Sequence, residues 1–145
     1  MLVYRICKAG FAQLDGEGAR LFGGRWNSPG HSAVYTSSHL SLAALELLVH
    51  VDFENLPSDL VWLKIEIAKN VGKTTFSEFK APNETVSTAF GDAWLKSNRD
   101  LCLEVPSAVL SVERNIILNP RHAEMGEVRL LETNEFEFDE RLFRR

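Results

Sequence analysis

The segment Gly18-Ala-Arg-Leu-Phe-Gly-Gly-Arg-Trp-Asn-Ser-Pro-Gly30 sets paired glycines directly before Arg25, Trp26 and Asn27. A guanidinium is a planar, permanently charged fork that matches the oxygens of a phosphate. Glycine lets backbone N–H groups approach the same oxygens. The segment can therefore hold an anion, through Arg25 or through Arg20; a glycine-rich turn with solvent-exposed arginines reads equally well from composition. Ten residues on stands Tyr35, and further along Glu46, a carboxylate in the apolar run Leu40-Ser-Leu-Ala-Ala-Leu-Glu-Leu-Leu-Val-His50. A charge in apolar surroundings is costly unless something holds it. Taken singly, Tyr35 reads as core packing and Glu46 as a solvated helix residue. Together with the basic loop they address one cleft, with His50 one turn beyond Glu46.

Other chemistries fit poorly. Gly16-Glu-Gly18 and Gly23-Gly24 lack the spacing and the strand–turn–helix setting of a dinucleotide fingerprint. His31, His39, His50 and His122 have no metal-ligand spacing, so no metal is expected. Ser107, after Val105-Pro106, lacks a nucleophile elbow and reads alone as a turn serine.

These residues need elements to position them. Leu2 to Ile6 reads as a strand, and Gly10 to His31 as the longest irregular stretch, the kind of loop that carries function. Ala33 to Thr36 reads as a second strand. Ser37 or Ser38 is expected to cap a helix through Leu40–His50, packed on several sides because it is apolar nearly all round. Leu60–Ile67 alternates as a strand with Val61, Leu63, Ile65 and Ile67 on one face. Asn83 to Asn98 reads as a helix with a Val86, Phe90, Trp94 stripe, weakened by Gly91. Strand-like runs follow at Leu101–Val105, Ala108–Val112, Asn115–Leu118 and Val128–Phe138. The pattern is α+β, a curved mixed or antiparallel sheet with packed helices, rather than alternating βα units.

The 145 residues, 45% hydrophobic, suit one domain over 1–145. A net charge of −4 with interspersed bases disfavours direct nucleic-acid binding. Two cysteines without a framework suit a reducing compartment; with no signal or spanning segment, a cytoplasmic, membrane-free protein is expected.

In their order, Arg25, Tyr35, Glu46 and Ser107 resemble the RES-domain family. The resemblance runs through Tyr4-Arg-Ile, Gly-Gly-Arg-Trp-Asn-Ser-Pro-Gly, Val-Tyr-Thr-Ser, Ala-Leu-Glu-Leu-Leu, Val-Pro-Ser-Ala and Asn115-Ile-Ile-Leu-Asn-Pro-Arg-His122. It implies a fold similar to ADP-ribosyltransferases and a toxin of a toxin–antitoxin pair, neutralised by a helical Xre-type antitoxin. NAD is then substrate, with no cofactor required. The resemblance assigns Arg25 to the pyrophosphate, Tyr35 to packing beside nicotinamide and ribose, Glu46 to the catalytic carboxylate and Ser107 to ligand orientation. Arg20 and Asn27 stand as further binding candidates, although Asn27, Ser28 and Asn119 also suit turn fastening, and His122 is ambiguous. Expected outcomes are NAD hydrolysis or phosphorolysis, alternatively mono-ADP-ribosylation of a protein, or a non-catalytic nucleotide-binding module. A homo-oligomer is left open.

Overall fold

The computed structural model describes residues 1–144. Seven strands form one open sheet: β1 (Leu2–Lys8), β2 (Val34–Ser37), β3 (Leu60–Ile67), β4 (Lys73–Thr75), β5 (Cys102–Pro106), β6 (Arg114–Leu118) and β7 (Val128–Glu135). Their order is β4-β5-β6-β2-β1-β3-β7. Every pairing is antiparallel except β4 with β5, so the sheet is mixed and the fold α+β, as expected.

The alternation read in Leu60–Ile67 holds. Leu63, Ile65 and Ile67 are fully buried and join Val3, Val34, Ile116 and Leu118 in one core. A second core gathers Trp26, Phe76, Trp94, Leu103, Val105 and Ile117. Residues 103, 105 and 117 alternate with 102, 116 and 118, which places the two cores on opposite faces of the sheet.

The sheet opens between β1 and β2. β1 pairs with β3 along its whole length, and β2 with β6 along its whole length, but β1 and β2 meet only at Tyr4 and Ser37. Past that point the strands splay, and the gap is a cleft.

Three helices flank the sheet: α1 (Glu17–Phe22), α2 (Leu40–Leu48) and α3 (Glu84–Ser97). Several expectations need correction. Gly10–His31 is not wholly irregular, since it contains α1 and part of a 3-10 turn at Ala9–Phe11. Neither Ser37 nor Ser38 caps α2. His39 holds that place with no side-chain cap, because the Ser37 hydroxyl is turned to Asn115, and the helix ends at Leu48 rather than His50. Nor is α2 enclosed on several sides: only Leu42 and Ala43 are buried, while Leu45 is exposed. Ala108–Val112 is a turn rather than a strand, and the short β4 replaces it at the sheet edge. Val128–Phe138 is strand only to Glu135.

Helix α3 matches the expected span, with Asn83 accepting a hydrogen bond from the Val86 N–H at its start. Its buried face is Ser87, Gly91 and Trp94, however, and Val86 is exposed. Gly91 is thus a packing position rather than a flaw. A Cβ there would lie 1.7 Å from the Trp26 carbonyl oxygen. Gly91→Ala must therefore push α3 off the Arg25–Trp26 loop, and we expect a loss of about 2–3 kcal/mol despite alanine's better helix propensity. Urea unfolding monitored by circular dichroism checks this; an unchanged or raised midpoint would contradict the packing.

Cys7 and Cys102 are buried free thiols, and burial pushes both up from their ordinary range, Cys102 to about 11. No helix among the described residues is long and apolar enough to cross a membrane.

Candidate functional site

The cleft at the β1–β2 split has two communicating lobes. The inner one, about 440 Å3, is lined by Arg5, Tyr35, Ser37 and Asn115 among others. The outer one, about 850 Å3, carries Val49, Glu84 and Val109. Phe22, Gly24, Arg25, Glu46 and His50 line both, so Arg25 and Glu46 stand where the lobes meet.

The Gly23–Trp26 loop is shaped around Tyr35. Gly23 has φ +73°, the left-handed region that glycine adopts without steric cost. A Cβ on Gly24 would sit 2.6 Å from the Tyr35 hydroxyl oxygen, so only glycine admits the ring. That hydroxyl donates to Asn27 Oδ1 at 2.6 Å and accepts the Trp26 N–H at 2.9 Å. Burial pushes the phenol well above its ordinary range. Tyr35 therefore works as a neutral ring with a committed hydroxyl, not as a proton acceptor.

Asn27 is scaffold rather than a binding residue. It is 1% exposed, and its amide nitrogen donates to the Ala19, Ser28 and His31 carbonyls. Ser28 is similarly committed, its N–H and hydroxyl both donating to Asp92.

Arg25 reaches the cleft. Its Nη2 donates to the Pro82 carbonyl at 2.8 Å, its Nη1 lies 3.8 Å from Glu84, and its buried Nε–H has no partner among the described residues. Thr88 holds the Arg25 carbonyl, tying the loop to α3. Arg20 does not reach the cleft. On a helix, positions three apart share a face, and Arg20 is spent on a two-pronged pairing with Glu17 at the surface. The Arg20 guanidinium holds the Glu17 carboxyl below its usual range.

A second cation stands outside the expected set of site residues. Arg5, in the middle of β1, lines the inner lobe and donates from Nη1 to the Tyr35 carbonyl at 3.1 Å, bridging the splayed strands. Its Nε–H is buried with no partner among the described residues. The pleat gives no signal for this: Val3 and Cys7, buried two residues to either side, put Arg5 on the face of the first core, and only the split beside β1 lets its guanidinium reach the cleft.

Glu46 projects from α2, which packs over β1 and β2. Its Oε1 accepts the Ser107 hydroxyl at 2.5 Å and the Asn115 amide at 2.8 Å. Its Oε2 has no hydrogen bond among the described residues. Ser107 is fully buried and touches the site only through Glu46, so it orients the carboxylate rather than a ligand. The N–H groups of Val109 and Leu110 donate to its oxygen, which leaves its proton for Glu46. The turn at Ala108–Val112, misread as a strand, supplies those donors.

Asn119 and His122 belong to the scaffold. Asn119 is buried and bonds Asn98 and the Arg121 N–H; His122 accepts the Glu124 N–H at the start of a 3-10 turn.

The arrangement is two guanidiniums, a neutral aromatic ring and a carboxylate with one bare oxygen around a single cleft. It suits a ligand with a pyrophosphate at one end and a sugar carbon developing positive charge at the other.

The family model for the RES domain matches residues 2–139. A protein of Photorhabdus laumondii named "Toxin Res" is 38% identical over 128 residues, 83% of this chain and 82% of that one. A Sphingobium protein named "Prs ADP-ribosylating toxin" is 32% identical, covering 91% of this chain and 88% of its own. Among solved structures, a chain of the M. tuberculosis MbcT–MbcA toxin–antitoxin complex superposes with a TM-score of 0.72 at 18% identity, over 93% of this chain and 83% of that one.

Proposed function

The chain belongs to the RES-domain family, and from that premise we propose that it is the toxin of a toxin–antitoxin pair that cleaves the nicotinamide–ribose bond of NAD. The observation that carries this reading is the bare Oε2 of Glu46 in a cleft shared with Arg5 and Arg25.

Arg5 and Arg25 take the pyrophosphate through the guanidinium groups that line the cleft. The Tyr35 ring packs beside the nicotinamide riboside. The C1′–N bond breaks with its electron pair moving to the pyridinium nitrogen, so nicotinamide leaves neutral. Positive charge develops at C1′, and Glu46 stabilises it, directly or through a ribose hydroxyl. Water or phosphate then forms the new C1′–O bond and releases a proton to solvent, giving ADP-ribose or its 1″-phosphate.

ADP-ribosyl transfer to a protein is the second reading, supported by the name of the Sphingobium relative and by the outer lobe, which leaves room for an acceptor beside Glu46. A helical antitoxin of Xre type belongs to the proposal. Phe22 and Val49, 75% and 59% exposed at the rim of the cleft, suit a protein partner.

The test is to incubate the purified, partner-free protein with NAD labelled in the adenylate half, with and without phosphate, and to identify every product. Free ADP-ribose, or its phosphorylated form when phosphate is present, is expected. Label retained on protein without matching free product favours transfer. NAD bound but intact leaves a binding module and overturns both enzymatic readings.

A further inference from the structure

We propose that Asn115, held by Ser37, is a positioning residue that fixes the orientation of the Glu46 carboxylate so that one oxygen stays free for the substrate; this rests on the reading that Glu46 acts on NAD. The device is built into the sheet. Ser37 on β2 and Asn115 on β6 are directly opposed in the antiparallel register, so their side chains leave the same face side by side. Ser107 follows β5, the strand beyond, and β5 opposes Asn115 at Val105. Three adjacent strands thus bring the Asn115 amide and the Ser37 and Ser107 hydroxyls beneath α2.

The polarity of the chain of contacts is set by Glu46. An ionised carboxylate only accepts, so the Asn115 atom facing it at 2.8 Å is the amide nitrogen. That leaves Asn115 Oδ1 toward the Ser37 hydroxyl, which donates to it at 2.8 Å. Ser37 thereby locks the amide against turning over. With Asn115 and Ser107 both donating to Oε1, the carboxylate cannot rotate without losing two charge-assisted bonds, and Oε2 stays directed to the cleft. Asn115 itself lines the inner lobe, so this restraint lies at the reacting end of the site. Ser107 alone leaves rotation about the carboxylate open; the Asn115 bond closes it.

The test compares Asn115→Ala, Asn115→Asp, Ser37→Ala and Glu46→Gln in steady-state NAD turnover, with crystal structures of the parent and of Asn115→Asp. Asn115→Ala is expected to lower kcat by roughly tenfold or more, the scale of one hydrogen bond to a charged group, with KM for NAD within about twofold. Asn115→Asp keeps the volume but sets oxygen against oxygen, so it falls below Asn115→Ala; a packing role ranks the two the other way. Ser37→Ala lowers kcat less, and carries the test if the Asn115 variants fail to fold. In the Asn115→Asp crystal the Glu46 carboxylate is turned from its parent orientation. Parent-like kcat in the Asn115 variants while Glu46→Gln is inactive, or an unturned carboxylate, overturns the proposal. Full activity of Glu46→Gln instead overturns the reading on which it rests.

Discussion

Glu46→Gln is expected to lower kcat for NAD cleavage by about 10²–10³-fold while leaving the fold intact. The substitution keeps size and shape. The Gln carbonyl oxygen can still accept from Ser107 and Asn115, so the contacts that seat the side chain survive. What disappears is the negative charge beside the anomeric carbon, where the transition state concentrates positive charge. In the ground state the positive charge lies on the nicotinamide ring and reaches C1′ only in the transition state, so kcat should fall more than KM rises. Initial rates of nicotinamide release, read beside a thermal melt matching the parent, check both halves. Unimpaired turnover would remove Glu46 from the chemistry.

The second large effect is on binding. Arg5→Ala and Arg25→Ala should each raise KM for NAD by about 10- to 100-fold, the worth of a charge-assisted hydrogen bond to phosphate. Together they should weaken binding beyond either alone. The two differ in a way that titration calorimetry and melting can separate. Arg25 also anchors its loop to the Pro82 carbonyl, so its loss should loosen the start of α3 as well. Arg5 reaches the Tyr35 carbonyl across the splayed strands, so its loss acts on the cleft itself. Arg25→Lys restores charge but not the fork, and should recover only part of the affinity. Arg20→Ala, at the surface and paired to Glu17, should leave KM unchanged.

Much of this site is legible in the sequence. Arg25, Tyr35 and Glu46 announce themselves because a guanidinium after paired glycines, and a carboxylate within an apolar helix, are local anomalies that composition exposes. The partners of Glu46 were not legible in the same way. Ser107 and Asn115 are 61 and 69 residues away along the chain, and only strand register carries them beneath α2. Asn27 misleads for the same reason: an amide beside an arginine suits ligand and scaffold equally, and its complete burial decides for scaffold. Arg20 and Arg25 are indistinguishable as residue types. They separate because a six-residue helix sets Arg20 on one face with Glu17, whereas the Gly23–Gly24 turn carries Arg25 inward.

Gly91 shows the limit of local rules from the other side. Propensity counts glycine in a helix as a defect, and in isolation it is one. Here the absent side chain is what lets α3 lie against the Trp26 carbonyl and hold the loop that carries Arg25.

By itself the sequence determined the α+β class, most of the element boundaries and several of the residue types that meet in the candidate site. Those follow from periodicity and from short-range chemistry, which act over a few neighbouring residues. Tertiary structure decided which residues converge: that β1 and β2 part after a single pairing, that Arg5 joins Arg25 in the opening, and that Glu46 is held through one oxygen and left bare at the other. Such outcomes depend on register and packing between distant segments, and no local pattern in the chain encodes the angle at which they meet.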